Sequence, residues 1–450
     1  MNPIRRFYHL SEGALPMKFV FALVLTTIIM TLGVTAQQVT LTLDQAVSLA
    51  LDKNSDVIQA KNTAQGEQST VQSAYGGLLP TVDASGSYGH TTKWVAPVPG
   101  VGSEEYSAGI SGKLVLFNGF ANTSNISRAN ANANSAEYSL NRTEQSTVYQ
   151  THQLFLNVVR NYQLLKVNED NVKRSKRQLE RITESNKVGA VALADVYRQQ
   201  VQVGSDELSL IQAQNSYENS KADLIAYLGV NFDKEYVFDF TGIPTNIDTA
   251  EFVVVNSQYS NFNDLVKSAV EKRPDHQSMI ENLNSAEASV TIAQGEHYPT
   301  VSANLDYGYS NNVFSRLTDN KKLDFGVTVS VPIFRGFSTQ TQIEQAQVQK
   351  RNAEERLMQS KRQISVDVRK ALLNLEAAEK QVQVTSTSVA SAEEDRKIAE
   401  EKYNLGAGTL LDLLIANANY STAQSNKVNA VNNYLLAKKQ TEYSLGMISK

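Results

Sequence analysis

The sequence repeats itself, and this duplication restricts the chain to folds that use one structural unit twice. At an offset of 219 residues Gly76 matches Gly295, and at an offset of 217 residues Leu228-Gly229 matches Leu445-Gly446. A register that persists through strands, glycines and helix ends indicates a repeated unit and not chance similarity between polar helices. Other matched pairs are Pro80 and Pro299, Gly89 and Gly308, Gly109 and Gly326, Gly119 and Gly336, and Gly189 and Gly406.

The two units are predicted to contain the same elements in the same order: a helix, a β-hairpin, a very long helix and a return helix. In the first unit, 37–228, the last three are predicted at 81–117, 122–187 and 192–228. In the second unit, 262–450, they are predicted at 300–332, 338–405 and 410–446. The segment 229–261 between the units has strand-like runs at 236–240 and 252–255, which predicts a small connecting domain.

The N-terminal segment is strongly apolar. Residues 19–32 form an apolar run of about 14 residues after Lys18, and Val34-Thr35-Ala36 supplies the small residues that precede a cleavage site. We therefore predict a signal peptide at 1–36, with Met17 as an alternative start that would make 1–16 an upstream extension. The other interpretation is a buried core helix. Since no later run approaches the ~18 apolar residues of a membrane-spanning helix, any membrane insertion would have to use strands.

Alternation of apolar and polar residues marks both hairpins. In the second hairpin the apolar positions are Val301, Ala303, Leu305, Tyr307, Tyr309, Leu323, Phe325, Val327, Val329 and Val331. The first hairpin has a weaker version, at Val82, Ala84, Tyr88, Ala108, Ile110, Leu114 and Leu116. This pattern is typical of transmembrane strands, although a soluble sheet with one solvated face alternates in the same way. The signal peptide favours the membrane interpretation.

Four strands in one chain are too few to close a barrel, and lipid excludes an open sheet edge. We therefore expect several copies of the chain to complete one wall. Two copies would supply eight strands, whose interior fills with side chains, whereas three copies would supply twelve. A conducting pore therefore favours three or more copies.

The long helices are predicted to be rods. No proline or glycine interrupts 122–187, so at about 1.5 Å per residue this helix would be on the order of 100 Å long. Apolar residues recur every seven positions, at Val158, Leu165, Val172 and Leu179, and again at Val368, Leu375, Val382 and Val389. The seven-residue period predicts coiled-coil packing. A two-stranded rod would have the same pattern, so the heptads alone do not indicate a channel.

A glycine follows each long helix, and glycine readily takes the left-handed conformation that closes a helix. The two glycines are Gly189 and Gly406. Thr409 and Asp412 then form a Thr-x-x-Asp capping box for the second return helix, whereas Ala192 replaces the threonine in the first unit. We expect both turns to be tight helix-helix connections at the end of the molecule far from the membrane.

Several functional classes have no support in the sequence. Cysteine is absent, which excludes disulfides and thiolate metal sites, and the five histidines have no metal-ligand spacing. No phosphate-binding glycine loop and no nucleophile elbow occurs. The net charge of −4 gives no basis for a nucleic-acid partner. We therefore predict no enzymatic activity, no cofactor and no bound metal.

Three motifs occur twice in the same order: Pro-Thr-Val at a strand start, Phe-x-Gly-Phe before the long helix, and a glycine turn followed by Leu-x-Asp. Over 41–447 the chain resembles the TolC-like outer-membrane efflux proteins. The resemblance implies a mainly α-helical homotrimer, with a twelve-strand β-barrel in the outer membrane and an α-helical barrel in the periplasm. It also implies passive conduction in a tripartite efflux or type I secretion system, with a periplasmic membrane-fusion adaptor and an inner-membrane transporter as partners.

The resemblance further implies that the helical tips bind the adaptor. By position, the docking residues would be Val188, Gly189, Ala190, Leu405, Gly406, Ala407, Gly408 and Thr409. Family members often carry an acidic ring on the second long helix. Here Glu393, Glu394 and Asp395 lie closer to the tip than that ring and are candidate aperture acids, although a solvated helix face explains them equally well. The alternative function is a trimeric coiled-coil protein of the cell surface with a structural or adhesive role.

Overall fold

The computed structural model describes residues 39–95, 98–231 and 236–448, so the predicted signal peptide at 1–36 lies outside the described residues. The prediction of a mainly α-helical chain with a strand-containing part is confirmed. Within the described ranges, no helix combines the length and the apolar character needed to cross a membrane.

Each helix of the first unit has a counterpart of equal length in the second. The chain begins with β1 (Val39–Leu41), α1 (Leu43–Lys53), α2 (Ser55–Gly76), β2 (Thr81–Val95), β3 (Val98–Asn118), α3 (Ala121–Lys187) and α4 (Leu193–Tyr227). Between the units lie β4 (Tyr236–Phe238) and α5 (Thr249–Gln258). The second unit contains α6 (Phe262–Lys272), α7 (Pro274–Gly295), β5 (Thr300–Asn311), a 3₁₀ helix (Phe314–Asp319), β6 (Lys321–Ser330), α8 (Ser338–Asn404) and α9 (Leu410–Ser444).

The two hairpins form one antiparallel sheet in the order β2-β3-β5-β6. Its register aligns the apolar positions of all four strands, since Ala84 lies opposite Ile110, Ile110 opposite Tyr307, and Tyr307 opposite Leu323. Side chains opposite each other in a sheet share a face. The alternation in the sequence therefore produces one apolar and one polar face. A bulge between Val115 and Phe117 interrupts the register near the helices.

A strained turn connects each hairpin to its long helix. Phe120 and Phe337 both have a left-handed backbone, with φ of 67° and 65°, which is uncommon for a residue other than glycine. Each packs edge-to-face on the phenylalanine three residues earlier, with ring centroids 5.4 Å apart in the first unit and 5.7 Å in the second. The repeated Phe-x-Gly-Phe motif thus encodes a repeated change of direction.

The helical part has a core in each unit where the long helix meets the return helix. In the first unit Phe155, Val158 and Leu224 pack with Phe238 of β4. In the second unit the buried residues are Leu375, Val382 and Tyr434, and α5 covers them with Phe252. The heptad positions Val158, Val172, Val368, Leu375 and Val382 are buried, as coiled-coil packing requires.

The prediction of a strand-like run at 252–255 is wrong, because these residues lie in helix α5. Asp248 caps this helix by accepting a hydrogen bond from the amide of Ala250 at 3.0 Å. Phe252 and Val255 are buried whereas Val253 and Val254 are exposed, which is the spacing of one helical face. The run at 236–240 does contain a strand, β4, which pairs in parallel with β1.

Candidate conduction wall and docking tips

The apolar face of the sheet has no covering element within the part of the chain that the structure describes. Leu323, Phe325 and Val329 of β6 are all exposed, and Phe325 has 74% of its surface accessible. An uncovered patch of large apolar side chains is rare on water-soluble monomers and marks a surface that contacts lipid or another protein. The exposed face is therefore chemically suited to a hydrocarbon environment.

The opposite face of the sheet is polar and charged. In one row across the strands Ser111 lies opposite Asp306, and Asp306 lies opposite Asp324. The ammonium group of Lys322 is 2.8 Å from the carboxylate of Asp324. This face also lines a shallow cleft of about 250 Å³ with Ser85 and Ser107. Such a surface is stable only against water.

Both outer strands of the sheet have one unpaired edge among the described residues, because β2 pairs only with β3 and β6 only with β5. An exposed edge presents free backbone N–H and C=O groups that template pairing with another chain. The sheet therefore has two complementary surfaces for self-association.

The two helical tips have the same backbone geometry. After α3, the amide of Gly189 donates to the carbonyl of Asn186 and that of Ala190 to Ser185, both at 2.9 Å. After α8, Gly406 donates to Tyr403 at 3.1 Å and Ala407 donates to Lys402 at 2.8 Å. This pair of bonds is the Schellman motif, which requires a left-handed residue. Gly189 and Gly406 supply it, with φ of 76° and 70°.

Large apolar side chains project from the tips. Val188 is 80% exposed and Leu405 is 83% exposed, although both sit at the end of a helix that is otherwise polar. Gly408 packs closely, since a methyl group there would lie 3.0 Å from the Cβ of Lys402. Between the two tips is an open cleft of about 1000 Å³, lined by residues of both turns. The predicted docking residues thus border one cleft.

The two return helices begin differently. Thr409 and Asp412 form the predicted capping box: the amide of Asp412 donates to the Thr409 hydroxyl at 3.2 Å, and the amide of Thr409 donates to Asp412 at 3.0 Å. The side-chain and backbone hydrogen bonds from Thr409 lower the pKa of Asp412. In the first unit Ala192 provides no side-chain cap, and Asp195 instead forms an ion pair with Arg198 at 2.9 Å.

The predicted aperture acids lie on the surface of α8, 11 to 13 residues before Gly406. Glu393 and Glu394 both contact Lys397, at 3.4 Å and 2.8 Å. The hydrogen bond from Lys397 to Glu394 raises the pKa of the lysine. These two carboxylates therefore share one counter-charge on their own helix.

The sequence analysis missed a buried ionic group at the start of α7. The Arg273 guanidinium is 2.6 Å from Asp275 and 2.9 Å from Asp367, and Arg142 of α3 is 3.6 Å from Asp275. Burial raises the pKa of Asp275, but the two arginines outweigh burial and hold it below its ordinary value. The equivalent position in the first unit is Asn54, and this difference at offset 219 was the available signal.

Comparisons with known proteins identify the family. The family model described as "Outer membrane efflux protein" matches residues 46–230 and 265–446, one match for each unit. The chain belongs to the outer membrane efflux protein family. It is an outer-membrane protein of the efflux class, and the family descriptions denote transport and not catalysis. No group of three or more His, Cys, Asp or Glu side chains that could hold a metal occurs among the described residues.

Individual relatives agree with the family match. The outer membrane protein TolC of Vibrio cholerae is 24% identical over 388 residues, which cover 84% of this chain and 85% of that protein. The Campylobacter jejuni CmeC outer membrane channel has a similar fold, with a TM-score of 0.77 at 20% identity over 90% of this chain and 85% of CmeC. The CusC structure gives a TM-score of 0.78 at 15% identity, covering 90% of this chain and 92% of CusC. The resemblance to TolC-like proteins is thus confirmed.

Proposed function

We propose that three copies of this chain close into an outer-membrane duct that conducts substrates passively from the periplasmic side to the exterior. The observation that carries the proposal is the four-stranded sheet, which has an uncovered apolar face, a polar face and two unpaired edges. Three sheets joined edge to edge would form a twelve-strand barrel. That barrel would hold its apolar face against outer-membrane lipid and its polar face around water.

An exposed stripe on α4 supports self-association of the helical part. Tyr197, Val201, Leu208 and Ile211 recur at spacings of four, seven and three residues, and all four are exposed in the single chain. This spacing places them on one side of the helix, as in a coiled-coil seam. We propose that the stripe packs on α8 of the next copy, so that the helices continue the wall below the membrane.

We propose that the tips bind a periplasmic membrane-fusion adaptor, which connects the duct to an inner-membrane transporter in a tripartite efflux or type I secretion system. The exposed apolar residues Val188 and Leu405, beside the cleft between the turns, favour a protein partner at this position. The energy for transport and the choice of substrate would then come from the transporter. No nucleic-acid partner is proposed.

Glu393, Glu394 and Asp395 are proposed to place negative charge near the periplasmic entrance. Lys397 offsets part of this charge, so we expect a modest preference for cations and not a complete block of anions. Replacing all three acids by their amides should reduce cation selectivity of the open channel, measured as the reversal potential in a salt gradient. An unchanged reversal potential would assign these residues to a solvated helix face.

Planar lipid bilayers test the duct directly. Purified oligomer should produce discrete conductance steps, and light scattering of the same sample should give the mass of three chains. A trimer that is well folded by circular dichroism but never conducts would contradict the proposal.

The docking role needs a separate test in cells. Val188→Asp together with Leu405→Asp should abolish export, because both side chains are exposed and would lose apolar contact with the adaptor. The control is Val253→Asp, which places the same charge at an exposed valine of α5 far along the chain from the tips. Trimers should persist in both variants. Normal export by the tip variant would remove the docking assignment.

A further inference from the structure

Within one chain, the duplication creates a junction between the first and the second unit. At this junction β3 pairs with β5, and α3 packs against α7 and α9. In a closed ring, the second unit of one copy must in turn lie beside the first unit of the next copy. Because the two units share one fold, the junction between copies should repeat the geometry of the junction within the chain.

A pair of glycines lies at the within-chain junction of the sheet. Gly109 is opposite Gly308, and a methyl group added to Gly109 would lie 3.1 Å from the carbonyl oxygen of Tyr307 and 3.2 Å from the Cα of Gly308. The equivalent residues on the open edges are Gly326, at 109 plus 217, and Gly89, at 308 minus 219. A methyl group at either of these glycines would meet no atom within 4 Å.

A second pair lies where the sheet meets the helices. A methyl group on Gly119 would lie 2.4 Å from the carbonyl oxygen of Gly295, so α7 approaches the turn too closely for any side chain. The equivalent residues are Gly336 and Gly76, and a methyl group at either would again meet nothing within 4 Å. Gly76 has no positive φ and ends helix α2, where glycine is a weak helix former. No contact of Gly76 inside the chain explains the residue.

We infer that β6 pairs with β2 of the next copy in the antiparallel register that places Gly326 opposite Gly89, and that Gly336 meets Gly76 of the next copy. The inference rests on the proposed trimer and specifies its seam. The four glycines that lack a close neighbour in one chain thereby acquire the neighbours that their equivalents already have. The partner of both open edges is a second copy of this chain, in one register only.

The other residues of the two edges agree with this register. It places Val327 opposite Tyr88, just as Ile110 lies opposite Tyr307 within the chain. It also places Val329 opposite Gly86, whereas Gly112 lies opposite Leu305. Each position therefore combines one small or aliphatic residue with one larger residue on the same face. A shift by one residue would turn apolar side chains of one strand toward the polar face.

Paired cysteines test the register, because the chain has no cysteine of its own. Thr328 and Ser87 would lie opposite each other across the seam, as Ser111 and Asp306 do within the chain. In one chain these two residues lie on opposite edge strands, about 14 Å apart at ~4.8 Å per strand, so a disulfide can form only between copies. Mild oxidation of Thr328→Cys with Ser87→Cys should give covalent dimers and trimers that a reductant dissolves.

The matched control is Thr328→Cys with Asp83→Cys, which keeps the same strand and face but shifts one partner by about 13 Å. It should cross-link at least roughly tenfold less, because a disulfide tolerates only a narrow Cβ separation. Equal cross-linking of both pairs would overturn the register, as would no cross-linking of the first pair in a sample that light scattering shows to be trimeric. A wild-type sample that is monomeric would instead overturn the proposed trimer.

The neck contact has its own test in helix α2. Gly76→Leu has free space within the chain and should leave the protomer folded, but it would collide with Gly336 of the next copy. Gly66→Leu is the control, since Gly66 lies in the same helix and also has nothing within 4 Å. The first variant should reduce the trimer fraction by about tenfold or more, and the second should not. Equal trimer fractions would disprove the neck contact.

Discussion

The two return helices carry different residues on the same face, and this difference separates two kinds of junction. On α9 the face consists of Leu414, Ala418, Ser421, Ser425 and Val428. It forms a cleft with α3 of the same chain, where the amide of Asn171 donates to the Ser421 hydroxyl at 2.5 Å. On α4 the equivalent face consists of Tyr197, Val201, Gly204, Leu208 and Ile211, whose large side chains are exposed.

Covalent connection explains the contrast. The units of one chain are tethered, so their junction can be stable with small and polar contacts. Copies of the chain must offset the loss of translational and rotational freedom on association, which costs at least several kcal/mol. Buried apolar area is the main source of that free energy. One fold position therefore carries serine and alanine where the neighbour is tethered, and larger apolar residues where the neighbour must be recruited.

Charging the α4 stripe should have the largest effect. Val201→Asp together with Leu208→Asp would remove two apolar side chains from each seam, worth about 1.5–3 kcal/mol apiece, and would place carboxylates there. We expect monomers by light scattering and no bilayer conductance, with helix content unchanged by circular dichroism. A double variant that still forms trimers would show that the stripe is not the seam.

The junction within the chain should instead depend on the buried arginine. Arg273→Ala would leave Asp275 and Asp367 without their main counter-charge, and breaking a buried ion pair in this way costs about 3–5 kcal/mol. The equivalent change in the first unit, Asn54→Ala, removes a helix cap worth about 1–2 kcal/mol. Thermal unfolding of the two variants measures the difference. Equal midpoints would mean that the two units are stabilised in the same way.

Exchanging the caps of the return helices should have a smaller effect. Thr409→Ala removes the hydroxyl of the capping box and should cost about 1 kcal/mol. Ala192→Thr should gain a fraction of that amount, because Ala192 already has the extended backbone of a cap residue. Amide hydrogen exchange in the first turn of each return helix should therefore change in opposite directions. Faster exchange in both variants would contradict this account.

Acid should release only part of the second cap, which is the smallest effect. Asp412 has a folded pKa below its ordinary value of 3.8, because Thr409 hydrogen-bonds to its carboxylate. Its contribution is therefore present above that ordinary value and is lost as the pH falls through the folded pKa. Hydrogen exchange at the start of α9 should accelerate below about pH 4. Asp412→Asn should remove this pH dependence, and a dependence that persists would implicate another group.

Sequence patterns predicted what is local and repeated. The glycines at both tips, the heptads of the long helices and the Thr409 capping box all depend on residues close together in the chain, and periodicity or spacing exposes them. The strand-like run at 252–255 failed for the same reason. Four consecutive apolar residues fit a buried strand or a helical turn, and only the cap at Asp248 and packing on Tyr434 decide for the helix.

Contacts between distant residues could not be predicted in this way. Arg273 finds Asp367, 94 residues later, only because α7 lies against α8. The pairing of β3 with β5 and of β1 with β4 likewise depends on how the two units fold together. The docking tips and the aperture acids remain predictions, because their partners are other molecules.

The equal lengths of the matched helices have a consequence for how this chain can evolve. The long helices both have 67 residues and the return helices both have 35. One residue inserted into a helix turns everything beyond it by about 100° and moves it by about 1.5 Å. Such a change in one unit alone would misalign neighbouring walls all around the ring. Helix length is therefore inherited as a pair, whereas the hairpin loops, where the offset steps from 219 to 217, are free to drift.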